Sequence, residues 1–213
     1  MAGSAPLADI PANVVAGEHG AGTFEFIRAV LALRPAGERW AVLRNSSGTD
    51  GTAADAAGSR DIQFSSVSDG CICCSAQTEL RVALTRLLRE SRPHRLIVEP
   101  SPQARLSDVL GLLADRWFGP VLALRSTIMV VDASGHVEPG QSLDEQQRDR
   151  FATADIVAIR GGGHVAPATM IALRKLLSGV VPGAQLIDAD REQLKLEYLD
   201  RVARVQPRPR FRS

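Results

Sequence analysis

Short runs of β-branched and aliphatic residues alternate along this chain with longer stretches whose apolar positions recur every three to four residues. The runs predict strands over residues 13–16 (NVVA), 40–44 (WAVLR), 95–98 (RLIV), 127–132 (TIMVVD), 155–159 (DIVAI) and 184–187 (AQLI). Helices are predicted over 23–33, 77–90, 106–115 and 166–177; in the second, Leu80, Ala83, Leu84, Leu87 and Leu88 fall at helical spacing. Strands separated by helices imply right-handed βαβ crossovers, so the fold class is α/β with a mainly parallel sheet flanked by helices. In such sheets ligands sit beyond the carboxyl ends of the strands. The chemistry is therefore expected in the loops that follow Ala16, Arg44, Val98 and Asp132.

Composition narrows this picture. The chain has 213 residues, enough for one α/β domain or one domain with a small appendage. Hydrophobic residues make up 45% but aromatics only 4%, so aliphatic side chains and alanine must fill the core. A net charge of +1 argues against a nucleic-acid partner held by a broad basic field. No signal-peptide pattern opens the sequence, and no apolar run approaches membrane-spanning length, so no membrane partner is expected. Three cysteines without an export signal point to a reducing cytoplasm. The small, Gly-rich stretch 45–59 is expected to be a loop, and RVARVQPRPRFRS at the C-terminus a frayed tail.

The loop after the first strand reads Gly17-Glu-His-Gly20-Ala21-Gly22-Thr23-Phe24. A phosphate cradle of the GxxxxGK[ST] type needs glycines that turn backbone N–H groups inward, a Lys for the terminal phosphates and a hydroxyl for Mg²⁺. Gly17, Gly20 and Gly22 have the spacing, but Thr23 stands at the Lys position and Phe24 at the hydroxyl position. Losing the Lys removes a charge-assisted contact worth roughly 1.5–3 kcal/mol. Two readings stay open: a tight strand-to-helix turn with no ligand, or weak binding of a nucleotide or other anion at the helix N-terminus. Efficient hydrolysis of a nucleoside triphosphate through this loop is not expected.

All three cysteines lie together as Cys71-Ile-Cys73-Cys74. A disulfide between adjacent residues is strained, which makes a structural bridge a poor explanation. Three thiolates on one turn can converge on Zn²⁺ at about 2.3 Å each, with a fourth ligand from elsewhere. The helix expected just beyond would favour the thiolate form. Metal binding is preferred over thiol redox chemistry and over inert packing, since three cysteines seldom fall within four positions by chance.

The Gly-rich loop over 17–25, the intact GCICCS at 70–75, the strand ending Glu99-Pro-Ser101 and VVDA at 130–133 occur in an order that resembles the CobW-type branch of the G3E P-loop GTPases. These are metal chaperones and insertases related to UreG and HypB. The resemblance runs from about Val14 to Ile187 and implies a P-loop NTPase-like three-layer sandwich. The family's switch segment keeps Asn45 and Gly48 and loses both glutamates, and the slot for the guanine-reading NKxD holds Arg160-Gly-Gly-Gly163. The resemblance thus implies a GTPase scaffold with degenerate nucleotide residues Gly17, Gly20, Ala21, Gly22, Thr23, Phe24 and Glu99, and with metal ligands Cys71, Cys73 and Cys74. It implies Zn²⁺ as cofactor in preference to GTP with Mg²⁺, and a client metalloprotein or an active paralogue as partner. The alternatives are a divergent GTPase assisted by a partner and a purely structural interaction module.

The expected organisation is an N-terminal extension over 1–12, the CobW-like domain over 13–200 and an Arg/Pro-rich tail over 201–213. Glu99 is expected either near Mg²⁺, as the resemblance implies, or as a helix-capping or solvated carboxylate. Asp132 is expected to satisfy loop N–H groups. His19 inside the cradle is more readily a surface histidine than a ligand. Nothing marks His94, His136 or His164 as ligands, and Asp50 and Asp55 are weak candidates for a fourth one.

Overall fold

Every strand foreseen in the hydrophobic pattern forms in the computed structural model, which describes residues 6–44, 61–67, 75–135 and 145–204. The strands are β1 (Ile10–Gly17), β2 (Trp40–Arg44), β3 (Ile62–Ser66), β4 (Arg95–Glu99), β5 (Leu122–Asp132), β6 (Ile156–Arg160) and β7 (Gln185–Asp188). The helices among the described residues are α1 (Thr23–Leu31), α2 (Ser75–Ser91), α3 (Leu106–Leu113), α4 (Glu145–Thr153), α5 (Pro167–Val180) and α6 (Leu196–Asp200). A single 3₁₀ turn, Gly162–His164, follows β6.

All seven strands join one parallel sheet in the order β3-β2-β4-β1-β5-β6-β7. Successive residues of each inner strand face opposite layers. Val14 and Ala16 join the cluster formed with α2, α3, α4 and α5, whereas Val15 joins the cluster formed with α1 and α6. Leu96 and Val98 likewise face one side and Ile97 the other. This double burial is why the inner strands read as continuous aliphatic runs, and it produces the three-layer sandwich expected. Among the described residues no helix is long and apolar enough to cross a membrane.

Several elements differ from the pattern. β1 begins at Ile10, three residues before the predicted strand, because Ile10 and Pro11 pair with β5 ahead of the first β4 pair at Ala12. Pro11 has no N–H to give, and that early position is where a strand tolerates one. β5 extends back to Leu122 because its polar Ser126 is buried and bonded within the fold. β3 (IQFSS) is a half-buried edge strand, and α4 (EQQRDRFAT) has almost no apolar face, so neither carries a period.

The first residues of the stretch expected as a tail, 201–204, are bonded to the sheet. Asn13, fully buried, donates to the carbonyl of Leu199 at 2.9 Å and to that of Ser126 at 3.0 Å, and accepts from Arg95 Nη1 at 2.8 Å. Ser126 N donates to the Arg201 carbonyl at 2.8 Å, Val202 bridges to Arg125, and Arg204 N donates to Asp155 Oδ1 at 2.7 Å. Residues 199–204 therefore strap the amino ends of the central strands, and only 205–213 of the expected tail lie outside the described residues. β1, between β4 and β5, is where the crossovers reverse direction, so its carboxyl end opens into the crevice that such sheets use for ligands.

Candidate functional site

β1 leaves the sheet at Gly17 and turns through a tight loop into α1. Ala21 N donates to the Glu18 carbonyl at 3.1 Å, and Gly20 and Gly22 take φ of 79° and 71°. Gly22 in that left-handed conformation is the N-cap of α1, with Phe26 N bonded to its carbonyl at 3.0 Å. A side chain at Gly17 would run into Thr23 Oγ1 and lie 3.2 Å from the Val130 carbonyl. The backbone shape of a phosphate cradle is thus present and tightly constrained. Ala21 is buried, Thr23 is half-buried and His19 is exposed.

The side chains around the cradle tell a different story. Phe24 is buried, and the guanidinium of Arg44, at the end of β2, lies 3.8 Å from its ring centroid. Phe64 of β3 meets the same ring edge-on at 6.4 Å. Arg44 Nε is 2.5 Å from Glu99 Oε2. Glu99, expected at a metal, at a cap or in solvent, instead forms a buried ion pair. Burial pushes its carboxyl above the usual range, and the bond and charge of Arg44 oppose that rise. Mg²⁺ needs oxygen ligands in near-octahedral geometry. Phe24 offers none and Glu99 is already committed, so these residues do not fit the ion.

On the other flank of the loop, a cleft of about 490 Å³ opens at the carboxyl ends of β1, β5, β6 and β7. The loop glycines form one wall, and Asp132, Arg160, His164, Asp190 and Arg191 contribute to the rest. Arg160 Nη1 donates to the Gly22 carbonyl at 2.6 Å and lies 3.6 Å from Glu25 Oε2. Asp132 Oδ1 accepts from Ser134 N at 2.9 Å and from its hydroxyl at 2.8 Å, closing the turn after β5. Gly161 has φ of 72°, and a Cβ there would sit 2.5 Å from Asp132 Oδ1. Along the sequence, Arg160-Gly-Gly-Gly163 is legible only as a missing base-reading motif. The run of glycines after a strand was the available signal for a bare cleft wall, and the tether of Arg160 to the loop had none.

His94 lies far from this edge, its Nδ1 accepting from Arg39 N at 2.9 Å. Cys71, Cys73 and Cys74 lie outside the described residues, as do Asn45, Gly48, Asp50, Asp55, Gly70 and His136. Among the described residues no group of three or more His, Cys, Asp or Glu side chains converges as a metal site. The elements that flank the thiols are described. β3 delivers the chain at Ser66 on the same edge of the sheet as the cradle, and α2 starts at Ser75.

A family model for the CobW/HypB/UreG nucleotide-binding domain matches residues 11–187. Among curated proteins the chain is similar to the zinc chaperone YeiR of Escherichia coli, 28% identical over 188 residues, covering 88% of this chain and 57% of that protein. It is also similar to a zinc chaperone CobW of Sinorhizobium, 27% identical over 65% of this chain and 41% of that one. The chain therefore spans roughly half the length of these two relatives. Among solved structures, the Zn(II)-bound YjiA GTPase of E. coli superposes with a TM-score of 0.61 at 17% identity, over 98% of this chain and 68% of that one. The hydrogenase maturation factor HypB of Archaeoglobus fulgidus gives 0.54 at 19% identity, over 84% and 80%.

Proposed function

Since the chain belongs to the CobW/HypB/UreG family of P-loop GTPases, of the CobW type, we propose that it is a GTPase-derived zinc-binding protein that handles metal with little or no GTP hydrolysis. The observation that carries this reading is the intact GCICCS at 70–75 in a chain whose similar proteins include zinc chaperones, while the residues that would serve the nucleotide are replaced. Cys71, Cys73 and Cys74 hold the ion as thiolates, and a fourth donor completes the tetrahedron. Zinc would pass to a client metalloprotein, or its binding would regulate an active paralogue through pairing.

Metal content and zinc titration of the purified chain, compared with a Cys73→Ala/Cys74→Ala variant, test the proposal. The wild type should hold zinc at least about tenfold more tightly than the variant, and its affinity should fall as pH drops because each thiol must lose a proton to bind. A chain that shows no thiol-dependent zinc affinity sinks the reading.

The cleft beside an intact cradle backbone favours a second reading, a divergent GTPase that binds nucleotide through main-chain contacts and takes missing groups from a partner. Calorimetry with GTP and Mg²⁺ separates the two: a Kd below about 10 μM favours the GTPase.

A further inference from the structure

Arg44 closes β2, and its main chain is fixed on both sides. It pairs with Ser66 of β3 and Glu99 of β4, and its carbonyl accepts from Val67 N at 2.8 Å. From this anchored position the guanidinium crosses the carboxyl edge of the sheet and is sandwiched between two groups. One is the Phe24 ring, 3.8 Å below it; the other is the Glu99 carboxylate at 2.5 Å. The Arg44 and Glu99 side chains retain only 12% and 9% of their exposure. Phe24 occupies the first turn of α1, immediately after the cradle, and Glu99 ends the strand beside β1.

The chemistry of the sandwich is selective. A guanidinium is planar, permanently charged and weakly hydrated, so it stacks on an aromatic face while its edge binds a carboxylate. A hydrated divalent ion binds a carboxylate as well, but it cannot stack on a phenyl ring. The replacement at position 24 therefore does more than delete a ligand, because it builds the face on which Arg44 rests. Leaving Glu99 buried without a partner would cost several kcal/mol, and the guanidinium offsets part of that cost inside the chain.

We infer that Arg44 is a resident cation that stands in place of a divalent metal at the cradle and holds α1, β2 and β4 together without Mg²⁺. This deepens the proposed function by making the cradle insensitive to the ion, and it depends on that reading only for where a metal would lie. Zinc at the thiols is a separate measurement, so failure of one leaves the other intact.

The test uses the full chain with Cys71, Cys73 and Cys74 replaced by serine, titrated with Mn²⁺ and followed by the electron paramagnetic resonance signal of the free ion. With Arg44 in place, no site tighter than about 1 mM is expected. Arg44→Ala removes a positive charge from beside Glu99 and should raise Mn²⁺ affinity at least about tenfold, a gain abolished in Arg44→Ala/Glu99→Gln. Arg44→Lys, which keeps the charge, should show no gain. A Mn²⁺ site tighter than about 100 μM in the Arg44 protein that disappears with Glu99→Gln would overturn the inference. Equal Mn²⁺ binding by the Arg44 and Arg44→Ala proteins would overturn it too. Should Arg44→Ala fail to fold, Arg44→Gln, which also removes the charge but keeps a longer side chain over Phe24, is titrated in its place, with the same gain expected and equal binding overturning the inference.

Discussion

At Glu99 two effects of opposite sign meet on one carboxyl group. Desolvation raises its pKa above the ordinary 4.5 and is the larger; the hydrogen bond and charge of Arg44 oppose it, and the charge of Glu25 adds a little to the rise. A folded pKa above the unfolded one means that the native state binds more protons, so this group's contribution is full below about pH 4.5 and is lost as pH climbs through the folded value. The stability of the wild type relative to Glu99→Gln, measured by urea unfolding across pH, should therefore decline upward from that point; a difference that grows with pH contradicts the assignment. Removing the partner is harsher than removing the acid. Arg44→Met strands a buried carboxylate and should cost about 3–5 kcal/mol at pH 7, most of it recovered in Arg44→Met/Glu99→Gln.

The loop from β1 to α1 shows how an element can keep its shape after its side chains have changed. Gly20 and Gly22 both need positive φ, yet their surroundings differ. Around Gly20 a Cβ would meet nothing within 4 Å, whereas at Gly22 it would collide with the Arg160 guanidinium. Gly20→Ala should thus cost about 1–2 kcal/mol for the left-handed conformation alone, and Gly22→Ala distinctly more. In an Arg160→Ala background the extra cost of Gly22→Ala should vanish, as a double-mutant cycle by chemical denaturation would read out. Equal costs at the two glycines in the wild-type background would show that Arg160 does not rest on the loop.

Across the whole molecule, the two edges of the sheet have separate duties. The carboxyl edge carries the cradle, the Arg44–Glu99 pair and the cleft, and the amino edge is closed by residues 199–204. Asn13 is the junction of that closure, and Asn13→Ala leaves the carbonyls of Ser126 and Leu199 without this donor and Arg95 Nη1 without this acceptor, Nη2 keeping Asp200. At about 1–3 kcal/mol for each buried group left unsatisfied, the variant should lose about 3 kcal/mol or more in urea unfolding. The strap lies at the opposite edge from the end of β3, which leads toward the thiol segment in sequence, so zinc affinity of the folded variant should match wild type; a loss of both together would mean that the edges are coupled.

The amino-acid sequence by itself determined the strands that are buried on both faces, since an aliphatic run such as NVVA or RLIV has only one way to be dry on both sides. It also determined the cradle's glycine spacing and the cluster of thiols, both of which are local along the chain. The edge strand β3 and the polar helix α4 escaped because half-burial or an isolated Phe151 leaves no period to detect. The tertiary structure alone decided the character of the site. Arg44 and Glu99 are 55 residues apart, and Arg160 lies 138 residues from the Gly22 carbonyl it binds. Parallel register brings such strand ends side by side, and what an arginine then finds there, an aromatic face, a carboxylate or a carbonyl, depends on which strands are neighbours rather than on any pattern within one of them.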